Sequence, residues 1–119
     1  MEIVFKKCNT CGNVVWSFND KNIMCCGKDM KTLKANEVDA SFEKHIPTYE
    51  IENDKIIVRV NHVMEENHYI MWIMMVSDNE IQYKEFKPND EPVAIFEKKE
   101  FATLYSYCNL HSLWSSKIE

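Results

Sequence analysis

The chain lacks runs of lysine or arginine, and its formal net charge is -5. That weighs against nucleic acid or an anionic membrane as a partner. A long apolar segment is also missing. The longest apolar run, 69–76 (YIMWIMMV), is far too short to span a bilayer. No signal-peptide pattern opens the sequence, since MEIVFKKC carries an early glutamate and no useful apolar stretch. The expected setting is therefore cytoplasmic and reducing, where stable disulfides are rare. Repeats and low-complexity linkers are absent. Glycine is scarce, at only two residues, and each stands directly after a cysteine: Gly12 after Cys11, and Gly27 after Cys26. Those cysteine loops demand a residue without a Cβ.

What is present fits a globular protein. A length of 119 residues allows one compact domain, or a very small one joined to a modest one. The cysteines number five, and an odd count argues against a closed disulfide framework. Residues 1–36 read as a cysteine-rich unit. Its apolar content (Ile3, Val4, Phe5, Val14, Val15, Trp16) is too thin for an independent core, so a metal or disulfide staple is expected. Across 37–119 the character changes to β-branched and aromatic segments separated by polar turns. IIVRV (56–60), HYIMWIMMV (68–76), IQYKEF (81–86) and VAIF (93–96) read as strands, with FATLYSYC (101–108) as the last. Short strands at regular spacing without a helical repeat predict an antiparallel β-sandwich, so the fold class is mainly β.

The first chemical pattern is C-x-x-C-G, twelve residues, then C-C-G, formed by Cys8, Cys11, Cys25 and Cys26. Four thiolates in two close groups suit a tetrahedral site for iron or zinc. In such loops backbone N–H groups can point at the sulfurs, and a glycine permits the positive φ of the turn. Two disulfides or four free thiols are the alternatives, and the reducing setting and the paired glycines count against them. The adjacent Cys25–Cys26 pair is less usual and forces a strained spacing.

The second pattern takes in every histidine: His45 (EKHIP), His62 and His68 (NHVMEENHYI), and His111 (CNLHSLW). A lone histidine is more often structural than a ligand, and Cys108 alone reads as a buried small hydrophobe. The set carries more weight. Cys108 and His111 leave the last expected strand, His62 and His68 lead into the central one, and sites are usually built at such ends. Imidazole suits iron, copper or zinc, and a thiolate adds electron density. Four histidines and one cysteine make five ligands, and an octahedral iron would keep a sixth position open.

These motifs, in this order over nearly the whole chain, resemble desulfoferrodoxin, the two-iron type of superoxide reductase. The resemblance implies that Cys8, Cys11, Cys25 and Cys26 hold a rubredoxin-like iron in a desulforedoxin-like domain (1–36). It implies that His45, His62, His68 and His111 are equatorial nitrogens of a second iron, with Cys108 as axial sulfur, in an immunoglobulin-like β-sandwich (37–119). Glu43 and Lys44 fall on the family's charged near-site positions. The glutamate would fill the open position of the oxidised iron, and the lysine would attract the anionic substrate and help supply protons. The implied activity is one-electron reduction of superoxide to hydrogen peroxide at a non-haem ferrous centre. Re-reduction would come from an external donor such as rubredoxin, and a homodimer is implied. Val63, Ser112 and Met71 depart from the family's usual proline, glycine and glutamate. Leu110, Leu113 and Trp114 are expected to pack around the two ligands of CNLHSLW. Rival readings are an iron electron carrier with a blocked second site, and a zinc-bearing structural or interaction module. Zinc can also replace iron in recombinant protein.

Overall fold

The computed structural model describes residues 2–119, which fall into two compact units, one ending at Lys34 and the other spanning Ala35–Glu119. In the first unit, β1 (Val4–Lys7) lies between β2 (Val14–Ser17) and β5 (Lys31–Leu33), and β3 (Met24–Cys25) pairs with β4 (Lys28–Asp29). Its interior is small, with Phe5, Cys8 and Met30 as its buried apolar residues. Lys6 is buried too, and its ammonium group is satisfied by Asp20 at 2.8 Å and Thr32 at 3.0 Å. So thin an interior is what the sequence led one to expect.

The second unit is a sandwich of two antiparallel sheets. One sheet has the order β10 (Val93–Glu97), β7 (Lys55–Arg59), β6 (Thr48–Glu52). The other has the order β12 (Ser112–Ile118), β11 (Ala102–Cys108), β8 (Ile70–Val76), β9 (Ile81–Glu85). Strand alternation decides which side chains face inward. Ile56 and Val58 of β7, with Ala94 and Phe96 of β10, meet Ile70, Ile73, Met75, Leu104, Cys108 and Ile118 in one core. β8 is apolar on both faces, and six of its seven residues are buried. No α-helix occurs among the described residues, and one 3-10 turn, Phe42–Lys44, precedes β6. Asn36 fastens the start of this unit, accepting from the Ser115 amide at 2.9 Å and donating to the Leu113 carbonyl at 3.0 Å. The architecture is the expected mainly β one, with a small cysteine-rich unit ahead of a sandwich.

Two strands differ from the sequence expectation. FATLYSYC is not the last strand, because β12 follows it and pairs along its whole length, from Ala102 with Ile118 to Cys108 with Ser112. CNLHSLW is therefore a hairpin connection rather than a chain end. β6 is an additional strand, mostly exposed along its length, so its residues carry little apolar signal.

Candidate metal centres

The pocket of the second unit is assembled at strand ends. The 3-10 turn delivers His45, the link from β7 to β8 delivers His62 and His68, and the β11–β12 hairpin delivers Cys108 and His111. One donor atom from each of these five residues lies within 4.8 Å of all the others. The structure thus brings together every histidine and the one cysteine outside the N-terminal group.

Ring orientation follows from hydrogen bonds. His45 Nδ1 lies 2.6 Å from the Ser41 carbonyl, and His62 Nδ1 meets the Val63 carbonyl. A carbonyl can only accept, so the proton sits on Nδ1 and the Nε2 lone pairs face the pocket. His111 presents Nδ1 instead, 3.1 Å from His45 Nε2 and 3.8 Å from Cys108 Sγ. Cys108 Sγ lies 3.4 Å from His62 Nε2. The group that meets His62 is the Val63 backbone carbonyl, so the contact does not depend on the Val63 side chain. Trp114 stacks on His45 at 4.8 Å and donates Nε1–H to the His111 carbonyl at 2.9 Å. Leu113 and Trp114 pack as expected, but Leu110 does not: it is 59% exposed and points to solvent at the hairpin tip.

Burial dominates the electrostatics. It holds His45 below its usual pKa and pushes His62 down to about 4, with the neighbouring imidazoles adding to the effect. Burial raises the Cys108 thiol, and only the amides of Leu110 and His111 oppose it. The site therefore favours neutral rings at His45 and His62 and resists a bare Cys108 thiolate, and a cation would reverse the second preference. His68 Nε2 is buried with no hydrogen-bond partner among the described residues. A buried polar atom without a partner is costly, and coordination to a metal would satisfy it. Four imidazoles and one sulfur with no carboxylate among them suit iron better than a hard oxygen-seeking ion. The residues fit an iron.

Glu43 and Lys44 are not part of this cluster. Both lie exposed on the turn just before His45, and no hydrogen bond or ion pair ties either side chain to the pocket among the described residues.

In the first unit, ligand atoms of Cys8, Cys11, Cys25 and Cys26 also lie within 4.8 Å of one another. All four are free thiols, with Cys11 and Cys25 sulfurs 3.7 Å apart. Gly12 and Gly27 adopt φ of 80° and 74°, and Cys26 itself sits at 54°. A Cβ on either glycine would meet nothing within 4 Å, so the demand is on backbone conformation rather than space. The Cys11 amide points at Cys8 Sγ and is the main reason that thiol is lowered to about 6. Cys25 is pushed up to about 12, chiefly through its hydrogen bond with Cys8. Cys8 is lowered while Cys25 and Cys26 are raised because the sulfurs share hydrogen bonds at close range, and a cation between them would favour the thiolates.

Two side chains that the sequence did not single out hold the second pocket. Ser106, fully buried, donates to the His45 carbonyl at 2.8 Å. Asn109, between Cys108 and His111, bonds the backbone on both sides of His68. A serine inside an otherwise apolar strand, and an amide between two candidate ligands, were the available signals.

Comparison with known proteins agrees with this picture. The desulfoferrodoxin family model matches residues 37–117. A desulfoferrodoxin of Syntrophotalea carbinolica is 42% identical, with 93% of each chain covered. A desulfoferrodoxin homologue of Archaeoglobus fulgidus is 40% identical, covering 92% of this chain and 93% of its own. Among solved structures, the superoxide reductase of Treponema pallidum superposes with a TM-score of 0.80 at 27% identity, over 98% of this chain and 99% of its own. The 1Fe superoxide reductase of Giardia intestinalis gives a TM-score of 0.58 at 26% identity, over 65% of this chain and 98% of its own. A β-sandwich gathering four histidines and a cysteine at its strand ends, with these neighbours, defines a metal-binding oxidoreductase. The chain belongs to the desulfoferrodoxin family.

Proposed function

We propose that this protein is a superoxide reductase that converts superoxide to hydrogen peroxide in the pocket of its second unit, without forming dioxygen. The observation that carries this reading is the convergence of all four histidines and Cys108 on one partly buried spot free of carboxylates. When bound there, iron supplies the ferrous–ferric couple that provides the one electron. His45, His62, His68 and His111 would hold it through neutral nitrogens, and Cys108 through its thiolate. Five protein donors leave a six-coordinate ion one position for substrate. A divalent ion with one thiolate leaves the site a formal charge of about +1, which favours an anion in a protein that is otherwise net negative. Lys44, one residue before His45, would add local attraction and a proton source. Glu43, beside it, would take the open position between turnovers. In the first unit, Cys8, Cys11, Cys25 and Cys26 would hold a second, rubredoxin-like iron. The electron donor would be an external carrier of the rubredoxin kind, and the protein would work as a homodimer in the cytoplasm.

The direct test is Cys108→Ser, read by superoxide consumption and peroxide yield after pulse radiolysis, with metal analysis and visible spectra on protein purified without oxygen. The expected result is loss of superoxide reduction with the four-cysteine iron spectrum retained. Full activity in the variant would sink the sulfur-ligand assignment. A colourless, zinc-loaded wild-type protein would favour the structural module, and colour that does not respond to superoxide would favour an electron carrier.

A further inference from the structure

His45 and His62 are each oriented by a carbonyl acceptor, but the His68 ring makes no hydrogen bond to protein among the described residues. Ring contacts with His62 and His111 pack it edge-on, and its placement otherwise depends on its backbone. Asn109 holds that backbone on both sides of the histidine. The Tyr69 amide donates to Asn109 Oδ1 at 2.9 Å, and Asn109 Nδ2 donates to the Asn67 carbonyl at 3.0 Å. The Asn109 amide adds a third bond, to the Tyr69 carbonyl at 3.2 Å. Asn109 sits between Cys108 and His111 in the β11–β12 hairpin. One carboxamide thus ties both flanks of His68 to the hairpin carrying the other two donors, extending the strand pairing that ends at Ile70 and Cys108. Beyond Asn109, β8 pairs with β11 as far as Ile70 opposite Cys108, which anchors the strand two residues past His68, and His68 bridges Glu65 with bonds of 2.9 and 3.2 Å internal to the loop.

Building on the iron-site reading above, we propose that Asn109 is a positioning residue that sets His68 against Cys108 and His111. Groups that orient metal ligands typically govern 10- to 100-fold in metal affinity. Asn109→Ala removes both side-chain bonds. Asn109→Asp keeps the acceptor for the Tyr69 amide and loses the donor to Asn67. The experiment uses the full-length, iron-loaded protein and a chelator, following release of pocket iron and its thiolate-to-iron absorption band. The four-cysteine iron in the same molecule is the internal control. The expected result is pocket iron released at least about ten-fold faster from Asn109→Ala, with a shifted band. Asn109→Asp should fall between it and wild type, and the four-cysteine iron should be unchanged. Release and band positions identical to wild type in both variants would overturn the proposal. Equal acceleration at both iron sites would overturn it too, since that marks general destabilisation. A wild-type pocket that takes up no iron would instead overturn the function reading. The clamp is then read in metal-free protein from amide exchange at Tyr69, which Asn109→Ala must accelerate and Asn109→Asp must largely preserve; failure of either ends the proposal.

Discussion

Replacing Ser106 by alanine tests how firmly His45 is held. The Ser106 hydroxyl is fully buried, and its bond to the His45 carbonyl, at 2.8 Å, ties the 3-10 turn to β11 two residues before Cys108. Ser106→Ala deletes a single oxygen and leaves the strand pairing alone. The carbonyl then stays buried without that donor, and the space opened is about one atom, too small to admit water. Orphaning a buried acceptor costs about 1–3 kcal/mol, and with no water to compensate a value of about 2 kcal/mol is expected. For a unit of this size that lowers Tm by roughly 8–16 °C. The assay is urea unfolding followed by tryptophan fluorescence, to which Trp72 and Trp114 contribute from the sandwich; the midpoint should fall with an unchanged slope. Ser116→Ala is the control. Its hydroxyl donates to the carbonyl of buried Pro47 at 2.6 Å, but Ser116 itself is half-buried, so water can approach from its side and its cost should be the smaller of the two. A Ser106→Ala protein within about 0.5 kcal/mol of wild type, or no less stable than Ser116→Ala, would refute the reasoning.

Ser112 sits at φ 66° where the hairpin closes, a conformation that costs a non-glycine residue about 1–2 kcal/mol. Ser112→Gly should therefore stabilise the sandwich, by less than about 1 kcal/mol after the larger entropy loss of glycine on folding, and a lowered urea midpoint would contradict this. The Asp20 carboxyl is held below the usual carboxylate range, chiefly by its hydrogen bond from Lys6. Its contribution is thus full above the ordinary carboxylate pKa and lost as pH falls through the lowered folded value. Acid titration of the first unit, followed by its thiolate-to-iron absorption, should show less pH dependence in Asp20→Asn, and an identical acid profile would argue against the linkage. Lys44→Ala should slow the reaction with superoxide several-fold at low ionic strength and less in high salt, as measured by pulse radiolysis; a rate that ignores both mutation and salt would remove Lys44 from the mechanism.

The parts of the fold that were legible in the sequence are those where burial writes a pattern. β8 is apolar on both faces because it is covered on both faces, and β7 and β10 alternate because one side meets the core. β6 was not legible, because its exposed Thr48, Glu50 and Glu52 leave only Tyr49 and Ile51 to speak for a strand. β12 was hidden by its serines, although Leu113, Trp114 and Ile118 are buried. The donor residues could be read because histidine and cysteine are rare and chemically distinct. The groups that aim them could not, since most are backbone carbonyls, of Ser41 and Val63 for example, whose role no side-chain identity announces.

Each set of sulfur and nitrogen donors is drawn entirely from one of the two units, and the chain passes between the units at Lys34 and Ala35. Neither group of donors borrows a residue from the other, so on the two-iron reading proposed above the two would be filled, emptied or filled with the wrong metal one at a time. On that reading a population of these molecules would be a mixture of four loading states. Total iron per chain would not distinguish a half-loaded preparation that is fully inactive from one that is fully active.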